Sequence, residues 1–541
     1  MSKNIKLTVM SSLEKIYNED NIPEKNYEGF SMLKNERKSF QLAVEVNEDF
    51  KGNINIKSDI KNIDIYSVNC IPSDFPMTKV GNDGYYRYSN DNLYPDLLLP
   101  VDNYIDFKKR KNVFWFEFSA ENITPGEHTI EISVENSSAT IKVEIIDCEL
   151  EFNDFIYTNW FHTDCLMTQY NVEAFSDEYW RIVENYLLVA RKYGMNCVLT
   201  PIFTPPLDTK ISGERPTVQL IDIVKNGNKY SFNFDKLTKW IEMCHRCNIE
   251  YFELAHFYTQ WGAKHAPKII ATVNGEEKMI FGWKTRASSK KYINFLKQLS
   301  VELKKYLETN GLKDKVLIHV SDEPNGAMYR TYKKASATIH NLFEGYKIVD
   351  ALSDYKFYKK KVVTNPIPAT DAITPFIGNV PELWTYYCSS QHNGNVSNRF
   401  FCNDSIRNRV LGYQLFKYDV KGFLHWGYNF YYTQYSKKVI DPYKVSDAGG
   451  KFPSGDSYVV YPAKDGTPYP SLRLFVFYDA LQDFAALNTL SKLSDKKTAM
   501  DILEEYGINT ITFNEYPHDD EWLLSTRENI NMKIKELLKT E

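Results

Sequence analysis

The chain has 541 residues, of which 43% are hydrophobic and 25% charged, an ordinary balance for a globular protein with a large buried core. Its net charge of −5 excludes the global basic field that attracts nucleic acid or an anionic membrane surface. Aromatic residues reach 15%, with 38 Tyr and 32 Phe, which suits both sheet-rich folds and surfaces that stack on sugar rings.

The first residues do not have the long apolar core or the cleavage site of a secretory signal. No run of about 18 apolar residues occurs, so no membrane span is predicted. The eight cysteines are scattered along the chain rather than grouped as a disulfide framework. These features predict a reduced, cytoplasmic protein, although a secreted protein whose signal had been removed would look the same.

Residues 1–150 are predicted to form an N-terminal domain of short strands separated by turns. Several segments alternate apolar and polar residues, as strands with one buried face do. These segments are 6–12, 39–46, 54–58, 63–68, 113–120, 128–135 and 139–147. Regularly spaced short strands of this kind predict a β-sandwich.

From about residue 151 to residue 493, apolar strand-like runs alternate with amphipathic helical segments, such as 178–194 and 290–311. Such alternation is typical of a parallel sheet with crossover helices, and eight runs predict a (β/α)8 barrel of the TIM type. The runs are 156–161, 196–203, 249–257, 315–323, 347–353, 372–378, 382–389 and 422–431. Only a very short link separates the sixth run from the seventh. Residues 494–541 are predicted to be a helical extension packed on the barrel.

The most informative segment is 316–324, an apolar run that ends in two adjacent acids, Asp322 and Glu323. Inside a strand the two side chains would face opposite sides, whereas at its carboxyl end both can converge on one cleft. Two neighbouring acids push their pKa values apart, so that one can act as an acid and the other as a base. The simpler alternative is a turn that meets water. The position at the end of the fourth barrel strand favours a site, because barrel chemistry lies at the carboxyl ends of the strands.

Other predicted strand ends carry aromatic and hydrogen-bonding side chains. Any one of them is most simply a core aromatic or a buried histidine with satisfied bonds. As a set they suit a neutral polyhydroxylated ligand, which needs stacking and directional bonds rather than a charge clamp. The set comprises His162, Asp164, His256, Tyr258, Trp384, Tyr386, Tyr387, His425, Trp426 and Asn429.

A metal or cofactor site is not predicted. Cys244 and Cys247 have the spacing of half a zinc site, but they lie in an amphipathic helical segment without a second cysteine pair. The default interpretation is therefore a pair of core-facing cysteines. The sequence also has no glycine-rich phosphate loop and no hydrolase elbow motif.

Several ordered blocks resemble the β-N-acetylgalactosaminidases of glycoside hydrolase family 123 and the wider group that shares their catalytic domain. His319–Pro324 is similar to the catalytic H-[IV]-S-D-E-P motif, and Leu383–Cys388 to the W-x-Y strand. The other blocks are 94–100, 407–431, 455–462 and 470–484. The chain departs from the pattern at Thr385, Phe475 and Ala480, which places the identity of the sugar in question more than the reaction.

The resemblance implies a retaining glycosidase that uses the 2-acetamido group of its substrate as the nucleophile, without a cofactor. Glu323 would then be the general acid/base, and Asp322 would orient the acetamido group and stabilise the charge that develops on it. Tyr386 would bond the acetamide oxygen and Trp426 would lie under the sugar ring. The remaining residues expected to bind substrate are Trp384, His425, His162 and Asn429.

Two alternatives stay open. The same barrel and acids are compatible with hydrolysis of a different glycoside, in which case Asp322 would only tune Glu323. A non-catalytic carbohydrate-binding protein is the other alternative, although both acids are intact. The expected partner in each case is a glycan, with no nucleic acid and no membrane span. The exact sugar, exo or endo action and the oligomeric state do not follow from the sequence.

Overall fold

The N-terminal part of the chain is rich in β-structure. The computed structural model describes residues 4–102, 104–504 and 511–539; the remaining residues of the predicted first domain, 1–3 and 103, lie outside this range. Two five-stranded sheets have the orders β1-β3-β8-β5-β6 and β2-β10-β9-β4-β7. In chain order the strands are β1 (Ile5–Ser11), β2 (Gly29–Leu33), β3 (Arg37–Val46), β4 (Phe50–Lys57), β5 (Asp64–Pro72), β6 (Leu93–Pro100), β7 (Tyr104–Phe107), β8 (Arg110–Ser119), β9 (Gly126–Val134) and β10 (Ser137–Ile146).

Apolar residues from both N-terminal sheets form one buried cluster. Phe40 on β3 and Phe116 on β8 pair in register and stack at 5.0 Å, and Ile132 and Val143 join them from the second sheet. Strands β2, β6 and β7 are not among the segments predicted from alternation. β6 is almost entirely buried, so it has no polar face for an alternation pattern to reveal.

A nearly closed barrel of eight parallel strands follows. Its strand order is β20-β19-β18-β15-β12-β11-β22-β21, and Tyr386 N–H donates to the Pro368 carbonyl at 3.1 Å where the end strands meet. This barrel confirms the barrel predicted from the alternating pattern. The strands of the second part are β11 (Ile156–Asn159), β12 (Cys197–Thr200), β13 (Asp222–Asn226), β14 (Lys229–Asn233), β15 (Tyr251–Leu254), β16 (Ile269–Val273), β17 (Glu276–Phe281), β18 (Val316–His319), β19 (Lys347–Ala351), β20 (Asn365–Ile367), β21 (Trp384–Tyr386), β22 (Gly422–His425), β23 (Val460–Pro462) and β24 (Pro468–Pro470).

The predicted sixth strand, 372–378, was wrong. This run lies across two short 3-10 helices, Thr370–Ala372 and Thr374–Phe376, and the sixth barrel strand is β20, which pairs with β19. The strand that forms instead has only three residues and contains Pro366, so it offers no apolar run of strand length for a sequence pattern to reveal. A short apolar run cannot be distinguished by periodicity from other buried structure, and here the pairing with β19 identified the strand.

Helices surround the barrel and begin at recognisable caps. Ser176, Ser289 and Ser471 accept hydrogen bonds from first-turn N–H groups at the start of the helices Asp177–Lys192, Lys290–Thr309 and Leu472–Leu493. The helices are α1 (Thr163–Tyr170), α2 (Asp177–Lys192), α3 (Asp235–Arg246), α4 (Lys290–Thr309), α5 (Tyr329–Leu342), α6 (Tyr355–Lys359), α7 (Ser405–Arg409), α8 (Leu411–Lys417), α9 (Leu472–Leu493), α10 (Lys496–Glu504) and α11 (Asp520–Leu538). None of these described helices combines the length and apolar character that crossing a membrane requires.

Smaller elements complete the structure. Strands β13, β14, β16 and β17 form a separate four-stranded sheet in the connections that follow the second and third barrel strands. The predicted C-terminal extension, 494–541, includes residues 505–510 and 540–541, which lie outside the described residues. Its helix α11 packs on α9 and also on β2 of the N-terminal sheets, where Asn531 donates to the Ser31 carbonyl. Helix α11 therefore touches both parts of the molecule.

Candidate active site

A cavity of about 370 Å³ opens at the carboxyl ends of the barrel strands. Its lining residues lie on or just after β11, β12, β15, β18, β19, β21 and β22, and residues from the long segment after β22 cover one side. Acidic, amide and hydroxyl side chains alternate there with aromatic rings. A concave site with convergent polar groups is the usual form of a small-molecule site, and its place matches the functional face of such barrels.

Asp322 and Glu323 both line this cavity, just beyond β18. The turn is held by backbone bonds, from Glu323 N–H to the Ala351 carbonyl at 3.2 Å and from Trp261 N–H to the Asp322 carbonyl at 3.3 Å. Glu323 has a φ of 41°, in the left-handed region that non-glycine residues rarely adopt. Such a conformation costs about 1–3 kcal/mol and persists where surrounding contacts enforce it, often at functional sites. Here it allows two consecutive carboxyl groups to line one cavity.

The pKa values of both acids are raised. For Asp322 the causes are enclosure by protein and then the negative charge of Glu323, and together they raise its pKa well above 3.8. For Glu323, loss of bulk water raises the pKa above 4.5, while a hydrogen bond from Tyr386 opposes the rise. Glu323 still faces the open cavity, so its carboxyl group is accessible to a ligand. Two interacting carboxyl groups of this kind titrate as a pair and retain one proton over part of the pH range.

A buried charged network lies beneath the acid pair. The His319 ring contacts Glu253 through Nε2 at 2.8 Å and Asp350 through Nδ1 at 3.3 Å. Although burial alone would lower it, these two carboxylates raise the pKa of His319 to about 9, so the ring is an imidazolium at neutral pH. Asp350 also accepts hydrogen bonds from Val320 N–H at 3.0 Å and Ser321 N–H at 3.3 Å. The network therefore fixes the chain immediately before Asp322.

Tyr386 and Trp384 lie on the same strand, β21, but at opposite ends of the barrel interior. The Tyr386 hydroxyl lines the cavity and donates to Glu323 Oε1 at 2.5 Å. Trp384 does not line the cavity. Its ring packs over Gly422 at the start of β22, where a Cβ atom would come within 2.3 Å of the indole. Residues two apart share a face but are separated by about 6.6 Å along the strand, so Trp384 closes the far end of the barrel.

Trp426 lines the cavity just after β22. Its indole Nε1 donates to Asp456 Oδ2 at 2.9 Å, and the rings of Phe430 and Phe452 pack against it at 5.0 and 5.3 Å. Burial is the main cause that raises the pKa of Asp456, to about 7. The indole is thus fixed at its polar edge by a carboxyl group and on its sides by aromatic rings.

The remaining expected substrate-binding residues are placed differently from one another. His162 lines the cavity, with Nε2 at 2.9 Å from the Trp426 carbonyl and Nδ1 at 3.1 Å from an Arg215 nitrogen. Burial and the Arg215 charge lower the pKa of His162 to about 3, so it is neutral. His425 and Asn429 are buried behind the lining. Asn429 bonds both backbone groups of His162, which makes it a support for that residue.

Four further strand-end residues singled out in the sequence are also buried outside the cavity lining. Asp164 forms an ion pair with Arg215 at 2.6 Å, and His256 stacks on His319 with ring centroids 4.4 Å apart. Tyr258 and Tyr387 pack in the hydrophobic core. Asp164, Tyr258 and Tyr387 fit the simpler interpretation of core and support positions, whereas both ring nitrogens of the buried His256 have no hydrogen-bond partner among the described residues.

The cavity also contains residues that the sequence did not indicate. Asp208, in the segment after β12, accepts a hydrogen bond from Tyr435 N–H at 2.8 Å, and burial raises its pKa to about 6. Gln260, after β15, accepts from Asp208 N–H at 2.6 Å. Trp261 and Lys451 also line the cavity. Their only signal was position after a strand end, because none belongs to a motif or a periodic segment.

The cysteine pair has the spacing of a half zinc site but no further ligands beside it within the described residues. Cys244 and Cys247 are buried free thiols, on α3 and directly after it. Within residues 4–102, 104–504 and 511–539, no three His, Cys, Asp or Glu side chains gather in a metal-binding arrangement. All eight cysteines are unpaired.

A parallel barrel with two adjacent acids in a cavity lined by aromatic and polar groups defines a class of protein, the barrel glycosidases. The family model of the glycoside hydrolase 123 catalytic domain matches residues 160–490. The chain belongs to this family and is a glycosidase. A comparison of the sequence with curated proteins finds no match.

A solved structure shows the same fold. A family 123 glycoside hydrolase from Clostridium perfringens, described in connection with glycolipid glycan hydrolysis, superposes with a TM-score of 0.73 at 16% identity, covering 99% of this chain and 100% of that one. A proposed α-galactosidase from Bacteroides fragilis reaches a TM-score of 0.25 at 9% identity, covering 85% of this chain and 80% of that one. At a TM-score this low, the second structure indicates nothing about the fold or the function of this chain.

Proposed function

We propose that this glycosidase is a retaining β-N-acetylgalactosaminidase in which the 2-acetamido group of the substrate is the nucleophile. The observation that carries the proposal is the placement of two consecutive acids in one cavity. A nucleophilic carboxylate and an acid/base need to lie about 5–5.5 Å apart on either side of the scissile bond. Adjacent acids on one turn suit a different division of labour, in which both act near the same side of the anomeric carbon.

We assign Glu323 the role of general acid/base. The proposed mechanism places the one proton of the pair on Glu323, from which it passes to the glycosidic oxygen, and the exposure of this carboxyl group to the cavity gives a leaving group access. After the bond breaks, the same carboxylate removes a proton from the water that opens the cyclised intermediate. Tyr386, which donates to Glu323 Oε1, orients this carboxyl group in the free enzyme.

We assign Asp322 the role of binding and stabilising the acetamido group of the substrate. An ionised Asp322 accepts a hydrogen bond from the acetamido N–H and stabilises the positive charge that develops as the carbonyl oxygen attacks the anomeric carbon. The active form of the pair therefore carries one proton, on Glu323. A pair whose pKa values are both raised populates a singly protonated form closer to neutral pH than two isolated carboxyl groups do.

The sugar ring is assigned to the aromatic side of the cavity. Trp426 is the stacking platform, and His162 offers a neutral ring edge near it. The role suggested for Tyr386, a bond to the acetamide oxygen, requires its hydroxyl to turn from Glu323 when substrate binds. His425 and Asn429 act through Trp426 and His162, and Trp384 has no place in the proposed contact set.

The substrate class proposed is a glycan that carries β-linked N-acetylgalactosamine. The family supports this assignment, as does the Clostridium perfringens relative described with glycolipid glycans. The departures at Thr385, Phe475 and Ala480 lie outside the cavity lining, so they do not argue for another sugar.

Turnover of aryl glycosides tests the proposal. We expect hydrolysis of aryl N-acetyl-β-galactosaminide, much slower hydrolysis of its glucosamine epimer, and none of the galactoside that lacks the acetamido group. A thiazoline that mimics the cyclised intermediate should inhibit competitively. Equal hydrolysis of the galactoside together with no thiazoline inhibition would contradict substrate assistance, and preference for a different glycoside would reassign the sugar.

A further inference from the structure

A buried carboxylate of the N-terminal sheets reaches into the barrel part of the chain. Asp96, on β6, is fully buried and pairs with Arg473 on α9 through two bonds, Nε to Oδ1 at 2.7 Å and Nη2 to Oδ2 at 3.0 Å. Tyr461 donates its hydroxyl to the same carboxylate at 2.5 Å. A bidentate pair of this kind fixes the guanidinium plane as well as its position.

The other Arg473 donors bind the backbone on both sides of Asp456. Nη1 donates to the Gly455 carbonyl at 2.6 Å, and Nη2 donates to the Tyr458 carbonyl at 3.0 Å. Asp456 lies between these two anchored positions, and its carboxyl group holds the Trp426 indole. Asp96 is therefore connected to the proposed sugar platform through two side chains and one short backbone segment.

A second arginine holds the chain on either side of Trp426. Arg399 Nη2 contacts His425 Nδ1 at 2.6 Å and donates to the Gly427 carbonyl at 2.8 Å. The Arg399 carbonyl in turn lies 3.4 Å from Arg473 Nη1. The two Arg399 contacts thus hold His425 and Gly427, the residues on either side of Trp426 in the chain.

The packing leaves little room for this assembly to shift. A Cβ atom at Gly427 would come within 2.6 Å of the Asp456 and Ser457 carbonyl oxygens. At Gly455, whose φ is 96°, it would come within 3.1 Å of the Arg473 guanidinium. Tight contacts transmit a displacement of one group to its neighbours rather than absorbing it.

We propose that Asp96 is a positioning residue for catalysis: through Arg473 and Asp456 it sets the orientation of Trp426 in the cavity. The inference rests on the proposed function, because it takes Trp426 as the sugar platform. It gives the N-terminal sheets a role in substrate binding although none of their residues lines the cavity. A second buried contact of these sheets, Glu36 with Arg527 on α11 at 2.6 Å, leads away from the cavity and serves as a comparison.

A double-mutant cycle tests the positioning role. The variants are Asp96→Asn, Trp426→Ala and the two combined, assayed with the aryl glycoside that the wild-type enzyme hydrolyses best. We expect Asp96→Asn to raise KM about tenfold with a smaller change in kcat, because a displacement of about 1 Å costs up to 10²-fold. In the Trp426→Ala background, the same substitution should change KM less than twofold.

Glu36→Gln is the matched control, since it also weakens a buried carboxylate–arginine contact of the N-terminal sheets. It should lower Tm as Asp96→Asn does, yet leave KM within twofold of wild type. Should Asp96→Asn not fold, Tyr461→Phe removes one bond to Asp96 and retains the ion pair, and a smaller KM rise that depends on Trp426 is expected.

The outcomes separate the possible failures. The positioning role would be overturned if Asp96→Asn raised KM by the same factor in the wild-type and Trp426→Ala enzymes. It would also be overturned if Asp96→Asn lowered Tm but left KM unchanged. Normal kinetics for Trp426→Ala would instead remove the platform from the proposed function. If no glycoside is hydrolysed, acrylamide quenching replaces kinetics: Asp96→Asn should increase quenching of tryptophan fluorescence only when Trp426 is present, and equal quenching in both backgrounds would overturn the role.

Discussion

Two groups of carboxylates in this molecule behave in opposite ways. Asp483 on α9 contacts Arg409 at 2.7 Å and Arg527 at 2.9 Å, and although burial opposes it, these charges lower its pKa below 3.8. Asp322 and Glu323 have no arginine or lysine partner within the described residues that forms an ion pair with them, and their pKa values are raised. The same chemical group is thus a structural anion in one place and a proton carrier in the other.

The difference shows what an active acid requires. A carboxylate that is paired with arginine is locked in its ionised form, which stabilises the fold but cannot donate a proton near neutral pH. The acid pair keeps its proton because enclosure by protein and mutual repulsion disfavour its charges, and the His319 charge opposes the rise at Asp322 without cancelling it, which is unfavourable for folding. The strained φ of Glu323 adds to that cost. Stability and chemistry are thereby assigned to different carboxylates.

The largest expected effect is on the acid pair. Glu323→Gln should reduce kcat/KM by about 10²–10⁴-fold on substrates with poor leaving groups, and by less on activated aryl glycosides that need little acid assistance. Asp322→Asn should reduce both, since the acetamido group loses its partner with either leaving group. Initial rates on the two substrate types measure how much kcat/KM each variant loses with a poor and with an activated leaving group. Equal losses for Glu323→Gln on both would contradict its assignment as the acid.

The paired carboxylate should show the reverse behaviour. Asp483→Asn removes the anion that two buried arginines share, although Arg527 keeps Glu36 and Arg409 keeps Asp479, so the free energy of unfolding should fall by up to about 3–5 kcal/mol. The kinetic parameters of the folded enzyme should stay within twofold of wild type, because Asp483 does not line the cavity. Urea unfolding and steady-state kinetics provide the two measurements.

Glu323→Gln is the matched comparison for stability. An acid whose folded pKa is raised loses stability as pH rises from its unfolded pKa through the folded one, so its removal should leave stability at pH 7 unchanged or increase it. Asp483 has a lowered pKa, so its stabilisation is present above the unfolded pKa and is lost as pH falls through the folded value. A large destabilisation by Glu323→Gln at pH 7 would contradict the expected difference in stability between Glu323→Gln and Asp483→Asn.

The smallest expected effect is a shift of the pH profile. The negative charge of Asp208 raises the pKa of Asp322, and that of Asp371 raises the pKa of Glu323. In the proposed mechanism Asp322 acts ionised, so Asp208→Asn should move the acidic limb of kcat/KM to lower pH by a few tenths to about one unit. Asp371→Asn should instead move the basic limb to lower pH. Movement of the same limb by both variants would contradict the division of roles.

The sequence by itself determined the class of the fold and the position of the acid pair. Alternating strands and helices at 151–493 predicted the parallel barrel, since period and order depend on local patterns of apolar residues. The amphipathic runs 178–194 and 290–311 also predicted α2 and α4 close to their observed bounds. The place of Asp322 and Glu323 at a strand end followed from the same local reading.

Other features depended on which elements pair in space. The sixth strand was misplaced because a buried run such as 372–378 has no period that separates strand from turn. Trp384 was expected beside Tyr386, but the strand carries the two side chains to opposite ends of the barrel interior. Asp208 and Gln260 come from irregular segments that no local pattern aims at a cavity.

The contact between Asp96 and Arg473 is the clearest example of a feature that the sequence alone does not predict. The two residues are 377 positions apart, and only packing of the N-terminal sheets against α9 brings them to 2.7 Å. Local signals such as the Ser471 cap of α9 act over a few residues, and β6 has no alternation pattern at all, so nothing local indicates that these two elements meet. Tertiary structure decides which charges meet and which remain unpaired, because burial and distance set the pKa of each carboxylate.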